Sequence, residues 1–331
     1  MRHFALPDSG LFSSPNQSVP LLRAEWLLAA LAAAGLADAY LLHATGLHIE
    51  LDWTCASFVA VSLLAVAILI SCRASTTRGR QIARDFTEGL SLFAGISLLG
   101  AIASYPLAAG RHGLVDPELQ SIDTSLHFHW IQWYQVVAGH PLLQAIERTA
   151  YLSIFVTPAI LIAYFAVKRR QAESRLFIAT FGVAAAVTLT LFPLLPAAGP
   201  LATLWHGNLP YMPVSALYQT EVIHALRHHA LHSVDLGTLR GLVCAPSFHA
   251  ASAVLYAVTA WRVRPLRWPL TLLNLGMLLA TPVEGTHYLI DLLCGIAVAL
   301  FAIGVTPTLI ELTEPSSPAR RALAESPFRS A

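Results

Sequence analysis

Long apolar stretches dominate this sequence and limit what it can fold into. Eight of them approach the roughly 20 residues that an α-helix needs to cross the hydrocarbon layer of a membrane. They cover residues 22–43, 53–72, 87–107, 149–168, 176–196, 246–262, 267–283 and 287–310. The chain is 56% hydrophobic and only 12% charged, which leaves too few charges for the hydrated surface of an ordinary soluble domain. The sequence therefore predicts an all-α fold, a polytopic membrane bundle of about eight transmembrane helices.

The basic residues are distributed unevenly among the loops. Residues 73–84, 168–175 and 262–267, which join spans two and three, four and five, and six and seven, are rich in arginine. Because cytoplasmic loops are enriched in Lys and Arg, these loops are expected in the cytoplasm, and an even number of spans places both termini there. The balanced net charge of +1 offers no basic face for nucleic acid, so no nucleic-acid partner is expected.

The same pattern divides the chain into segments. Residues 1–21 are expected to form a cytoplasmic N-terminal segment without a cleaved signal, and residues 22–310 the transmembrane domain. Within that domain, residues 22–72 are interpreted as two accessory spans and residues 87–310 as a six-span core. Residues 311–331 are rich in Pro, Ser and Arg, which predicts a disordered cytoplasmic tail.

Every histidine except His3 falls on the opposite, outward face, and two short motifs there combine polar residues with the start of a span. In "PSFH" at residues 246–249, Pro246 suits the first position of a helix, and the unpaired N–H groups around Ser247 and Phe248 favour an anion. His249 is expected in the first turn. Span six is therefore predicted to open on an anion site beside a histidine.

The second motif, "HYLID" at residues 287–291, is predicted to open span eight. Gly285 and Thr286 suit a helix start, and Asp291 lies four residues after His287, on the same face of a helix. A carboxylate there can hold one imidazole nitrogen and leave the other free as a nucleophile. Since spans six and eight both enter the membrane from outside, the two motifs are expected to converge. Two histidines, one aspartate and two helix N-termini predict a metal-free phosphoryl-transfer site.

These two motifs resemble signature motifs of the type 2 phosphatidic acid phosphatase superfamily, which also includes vanadium haloperoxidases, and are most similar to its inositol phosphorylceramide synthase-like branch. The resemblance implies a six-helix catalytic core and a phosphohistidine mechanism without a cofactor. It implies His287 as the nucleophile, Asp291 as its orienting partner and His249 as the general acid, with Ser247 at the phosphate. The substrate would be a membrane lipid, and an alcohol such as inositol would be the acceptor in a transferase.

The sequence also departs from the family pattern. Phe248 stands where the family usually has Gly, which predicts a less open pocket. The family's cationic first motif has no counterpart in "FPLLPAAGP" at residues 192–200, and Thr281 occupies the position of a motif arginine. Of the outward arginines Arg111, Arg148, Arg227 and Arg240, Arg227 and Arg240 precede span six and are predicted to clamp the phosphate, unless both are simply solvent-exposed.

Several alternatives remain open at this stage. A histidine and an aspartate inside a membrane also suit a proton-coupled transporter or a lipid flippase, although the inverted repeats of such proteins are not evident. The spacing of His224, His228 and His232 allows zinc binding, but a solvated histidine helix is favoured, and no metal is expected. Asp116 and Asp123 are candidates for binding a polar acceptor. The localisation indicated is a bacterial cytoplasmic membrane, with the site outward.

Overall fold

The computed structural model describes residues 22–110 and 113–313. The segment 1–21, nearly all of the predicted tail at 311–331, and Arg111 lie outside the described residues. The predicted all-α bundle is confirmed, because helices occupy all eight predicted spans. The helices are α1 Ala24–Thr45, α2 Trp53–Cys72, α3 Arg78–Ala108, α4 Asp116–Ser125, α5 Trp130–Ala138, α6 Pro141–Leu152, α7 Thr157–Lys168, α8 Gln171–Leu191, α9 Pro200–Leu204, α10 Tyr218–Arg227, α11 Phe248–Trp261, α12 Arg267–Glu284 and α13 Leu289–Thr313.

Fewer than eight of these helices are individually long and apolar enough to span a membrane. Within the described ranges, α1, α2, α3, α8 and α13 meet that condition, and a sixth span is added if α6 and α7, bent by 47° around Ser153–Phe155, count as one. Helices α11 and α12 also lie at predicted spans but do not meet this condition of length and composition. Helix α11 has 14 residues, about 21 Å at 1.5 Å per residue, because the chain before Ser247 is extended rather than helical.

The core joins α3, α8 and α11 through aromatic rings. Phe93 stacks on Phe181 with ring centroids 4.2 Å apart, and Tyr256 lies within 6.4 Å of both rings. Aromatic side chains bury large apolar areas and prefer such offset or tilted contacts. This cluster fixes α11, whose first turn carries His249, against the two long helices.

The arginine-rich loops between spans two and three and between spans four and five meet at one end of the bundle. Arg175 on α8 forms an ion pair of 2.7 Å with Glu88 on α3, and Arg169 lies 3.6 Å from Asp85. The opposite end carries α4, α5, α9 and α10. There the strands β1 His48–Ile49 and β2 Ser233–Val234 form a short parallel pair. The two predicted motifs lie at this second end.

Candidate active site

Ser247 is the N-cap of α11, and the helix begins at Phe248. The Ser247 hydroxyl accepts a hydrogen bond of 3.4 Å from the N–H of Ala250, as a serine cap does. The prediction that Pro246 opens the helix is wrong by two residues. Because residue 247 has an extended conformation, with φ −66° and ψ 115°, the chain turns into the helix only after it.

Two backbone N–H groups remain available at the start of α11. The N–H of Ser247 is not one of them, because it donates to the backbone carbonyl of Asp291 at 2.9 Å. The N–H groups of Phe248 and His249 have no acceptor within residues 22–110 and 113–313, as expected for the first turn of a helix. The Phe248 ring packs against Phe181 at 5.3 Å between centroids, so its side chain contributes to the core.

His287 lies just outside a helix, in the turn that joins α12 to α13. Helix α13 begins at Leu289, so the prediction of a helix start at Gly285 or Thr286 is wrong; Gly285 is the C-cap of α12. His287 and Asp291 are nevertheless adjacent, with Nδ1 of His287 3.5 Å from Oδ2 of Asp291. Both side chains are buried, His287 to 4% exposure and Asp291 completely.

Asp291 stabilises the turn that carries His287. Its Oδ2 atom accepts a hydrogen bond of 3.0 Å from the N–H of Tyr288. Tyr288 is the N-cap position of α13 and Asp291 is the third residue of the helix, so this is the side-chain-to-backbone bond of a capping box. The carboxylate therefore orients the imidazole and closes the helix N-terminus at once. Its other oxygen, Oδ1, is buried and has no hydrogen-bond partner within the described ranges.

Asp123 on α4 occupies the remaining donors of the α13 N-terminus. Its carboxylate accepts the N–H of Leu289 at 2.8 Å and the N–H of Ile290 at 2.9 Å. Burial raises the pKa of Asp123 above its ordinary value, against the opposing effect of these two hydrogen bonds. The prediction that two helix N-termini receive the anion is thus wrong, because of these two helices α11 alone keeps N–H groups without an acceptor among the described residues.

Asp116, on the same helix, anchors the segment where a cationic first motif was sought. It accepts the N–H of Ala198 at 2.9 Å and that of Gly199 at 2.8 Å, and the Tyr288 hydroxyl donates to it at 3.1 Å. Gly199, at φ +95°, packs directly on the carbonyl of Thr286. The backbone hydrogen bonds of Asp116 and Asp123 commit both to positioning, rather than leaving them free for a polar acceptor.

Cys244 is a contact of the His287–Asp291 pair that sequence reasoning missed. Its thiol lies 3.4 Å from Oδ2 of Asp291, as a donor, and 3.9 Å from Nδ1 of His287. Burial, followed by the charge of Asp291, raises the pKa of Cys244 well above its ordinary value, so the thiol keeps its proton. Cys55 and Cys244 are both free cysteines.

His249 is held by Tyr151, a second residue that sequence reasoning missed. The two rings stack with centroids 4.1 Å apart, and the Tyr151 hydroxyl lies 3.3 Å from Nδ1 of His249. A Cβ atom at Gly285 would lie 3.1 Å from this hydroxyl and 2.6 Å from Cδ2 of His287. Gly285 therefore lies between the Tyr151 hydroxyl, which contacts His249, and the ring of His287. A side chain at residue 285 would collide with both groups, so the site requires glycine there.

The two arginines predicted to act together are separated by the length of α10. Arg240 lies over the ring of Tyr218, the first residue of α10, and donates to the carbonyl of Val214 at 3.3 Å. Arg227 ends the same ten-residue helix, about 13 Å further along its axis, and donates to the carbonyl of Ala108. Desolvation lowers the pKa of Arg227. The two side chains do not form one clamp.

Of these two arginines, Arg240 is the one connected to the surroundings of His249. Ser215, the neighbour of Val214, has its hydroxyl 3.2 Å from that of Tyr151, which in turn contacts His249. Glu284 fixes this segment, because its carboxylate accepts the N–H of Val214 and its carbonyl that of Ser215, each at 2.9 Å. The side chain of Arg240 is exposed to solvent.

The outer histidines do not continue along one helix. Helix α10 ends at Arg227, His229 has φ +52°, and His232 belongs to the extended segment before β2. His224 and His228 remain neighbours, with stacked rings 6.4 Å apart. Among the described residues, the one group of three side chains whose donor atoms suit a metal ion is instead Cys244, His287 and Asp291, all within 4.8 Å of one another.

An all-α polytopic bundle with two histidines and an aspartate around the start of one helix defines a class of membrane protein suited to phosphoryl transfer. The family model of the PAP2 superfamily matches residues 117–305, more than half of the chain. The chain belongs to this superfamily, which confirms the superfamily that the motifs resemble. The matched region begins within α4, before Asp123, and ends within α13. No curated protein and no solved structure matches the chain.

Proposed function

We propose that this chain is an integral-membrane lipid phosphatase or phosphotransferase that works through a phosphohistidine at His287. The observation that carries the proposal is the buried His287–Asp291 pair, 3.5 Å apart, which adjoins the start of α11 because the Ser247 N–H donates to the backbone carbonyl of Asp291. Membership of the PAP2 superfamily supports the assignment as a phosphoryl-transfer enzyme. The long apolar helices of the chain favour a substrate that lies in the membrane.

In the first half of the reaction, Nε2 of His287 attacks phosphorus. The N–P bond forms as the P–O bond to the lipid alcohol breaks, and His249 gives a proton to the leaving oxygen. Asp291 accepts a hydrogen bond from Nδ1 and stabilises the imidazolium that develops. The N–H groups of Phe248 and His249 stabilise the phosphoryl oxygens at the positive end of the α11 dipole.

The second half returns the enzyme to its starting state. Water or an alcohol gives a proton to His249 and attacks phosphorus, and the N–P bond to His287 breaks. Water yields inorganic phosphate, whereas an alcohol such as inositol yields a new phosphate ester. The absence of the cationic first motif from residues 192–200, as in the inositol phosphorylceramide synthase-like branch, favours transfer to an alcohol acceptor.

Orientation follows from the loops. We assign the end with the Arg175–Glu88 and Arg169–Asp85 pairs to the cytoplasm of a bacterium, because its loops carry the arginines. The site then opens at the outer face of the cytoplasmic membrane. Proteolysis of spheroplasts at an inserted cleavage site near Gly207, in the exposed loop after α9, tests this assignment, and protection in intact spheroplasts would reverse it.

The function is tested with purified protein and a panel of lipid phosphates, with and without inositol. Mass spectrometry reports the products, so one experiment identifies the substrate and the acceptor. His287→Ala should abolish turnover, whereas His224→Ala, an exposed histidine on α10, should not. Turnover that persists in His287→Ala would exclude the mechanism, and no turnover in the wild type with any lipid would exclude the activity.

Arg240 is proposed as the cation that binds the substrate phosphate, and Arg227 is not. Arg240→Ala should raise KM about tenfold or more, the effect of losing a charge-assisted hydrogen bond of about 1.5–3 kcal/mol. Arg227→Ala serves as the matched control, since its side chain lies on Ala108 at the other end of α10. Equal KM values in the two variants would remove Arg240 from the phosphate site.

A further inference from the structure

Cys244 takes no part in the proposed chemistry, although its thiol contacts two of the groups that do. Its Sγ atom is 3.4 Å from Oδ2 of Asp291 and 3.9 Å from Nδ1 of His287, and the latter two atoms are 3.5 Å apart. All three side chains are buried. Asp291 also keeps one oxygen, Oδ1, without a partner among the residues described.

This triangle has the dimensions of a zinc site. Zinc bonds of about 2.3 Å to sulfur, 2.05 Å to nitrogen and 2.0 Å to oxygen, in tetrahedral geometry, place the ligand atoms about 3.6 Å (S to N), 3.5 Å (S to O) and 3.3 Å (N to O) apart. The three distances in the protein agree with these within about 0.4 Å. Thiolate, imidazole and carboxylate are also the ligand types that Zn²⁺ selects.

We propose that Cys244, His287 and Asp291 bind a thiophilic divalent cation such as Zn²⁺, and that the bound ion inhibits the enzyme. The inhibition rests on the proposed function, whereas the binding does not. Three protein ligands leave one tetrahedral position for water, as in other zinc sites with three side-chain ligands.

The inhibition follows from the balance of protons. When the cation binds, the Cys244 thiol releases its proton to solvent, and the metal takes the lone pair at Nδ1 of His287. The ring proton that Nδ1 donated to Asp291 then resides on Nε2. An imidazole with a metal on one nitrogen and a proton on the other has no lone pair with which to attack phosphorus. The ion also occupies the carboxylate that stabilises the imidazolium.

Binding is measured directly, on purified full-length protein in detergent, with Cd²⁺ as the probe. Coordination by a cysteine gives the ultraviolet absorption of a cadmium thiolate, and we expect one such cation per chain. Cys244→Ser should remove the absorption, because a hydroxyl is a poor ligand for a soft cation. Cys55→Ser, which changes a half-buried cysteine on α2, should retain it. No absorption in the wild type, or undiminished absorption in Cys244→Ser, would overturn the proposal.

A second variant guards against misfolding of Cys244→Ser. The triple variant Cys55→Ser, Cys72→Ser, Cys294→Ser keeps Cys244 as the sole cysteine and should keep the full absorption; its loss would refute the site.

Inhibition is then measured with Zn²⁺, each variant against its own uninhibited rate. Cys244→Ser should raise the half-inhibiting Zn²⁺ concentration at least tenfold relative to Cys55→Ser, and equal concentrations would refute inhibition through this site. Cadmium bound by a protein without phosphoryl-transfer activity would instead refute the proposed function and leave the site standing.

Discussion

The Asp123 carboxylate should be required for catalysis although it lies outside the reacting groups. It accepts the N–H groups of Leu289 and Ile290 at 2.8 and 2.9 Å, and the next residue of α13 is Asp291. Asp123→Asn keeps the shape of the side chain but leaves it with a single acceptor oxygen. The NH₂ group that replaces the other oxygen cannot accept a hydrogen bond from the second N–H. One hydrogen bond becomes neutral, and one part-buried N–H loses its acceptor.

The magnitude can be worked out from these two bonds. An unsatisfied buried donor costs about 1–3 kcal/mol, and the change from a charged to a neutral acceptor costs about 1 kcal/mol more. These two costs add to about 2–4 kcal/mol, but burial raises the pKa of Asp123, so a neutral amide is easier to bury than the carboxylate and the net loss should be smaller, about 1–3 kcal/mol. A displacement of about 1 Å at a reacting group can lower the rate about a hundredfold. We therefore expect kcat to fall at least tenfold, with a smaller change in KM.

The assay combines steady-state kinetics with thermal unfolding of the purified protein in detergent. Glu118→Gln is the matched control, because it removes a negative charge from the exposed side of the same helix, α4. Kinetics are measured where both variants are fully folded, so that a fall in kcat reports the placement of Asp291 rather than the folded fraction. If Asp123→Asn has the kcat and unfolding temperature of Glu118→Gln, the positioning role is refuted.

Two further substitutions test the pocket itself. Gly285→Ala places a Cβ atom 2.6 Å from Cδ2 of His287 and 2.8 Å from the carbonyl of Thr281, so the imidazole must move. Turnover should therefore fall at least a hundredfold. Wild-type kinetics in this variant would contradict the geometry. Tyr151→Phe keeps the ring that stacks on His249 and removes the 3.3 Å contact with Nδ1. It should lower kcat about tenfold and shift the pH profile of kcat, because the hydroxyl fixes the tautomer of His249; an unchanged profile would show that it does not.

The sequence predicted the parts of this molecule that depend on local pattern. Hydropathy correctly placed a helix at each of the eight predicted spans, and His287 and Asp291 were expected together because they are four positions apart. The helix starts were misplaced by a few residues. Pro246 and Gly285 are residue types that suit several positions around a helix end. The hydrogen bonds of Ser247 and Asp291 determine where α11 and α13 begin.

The rest depends on contacts between distant segments. Tyr151 reaches His249 across 98 positions and Asp123 reaches Leu289 across 166, and no feature of a single sequence indicates either pairing. The two arginines lie 13 positions apart and looked equivalent, yet α10 separates them. The anion site was expected at two helix N-termini, and it is reduced to one because Asp123 reaches α13 from another part of the chain.

The central claim is the covalent phosphohistidine at His287, and rapid quenching of the reaction tests it most directly. Purified protein is mixed with a lipid phosphate that carries a label on its phosphorus, and the reaction is stopped within one turnover. The protein is then digested, and its peptides are analysed under alkaline conditions, in which phosphohistidine survives. The account predicts a label on the peptide that contains His287, absent from His287→Ala and removed when water or the acceptor alcohol is allowed to react. Turnover without a label on this peptide, or a label that persists in His287→Ala, would contradict it.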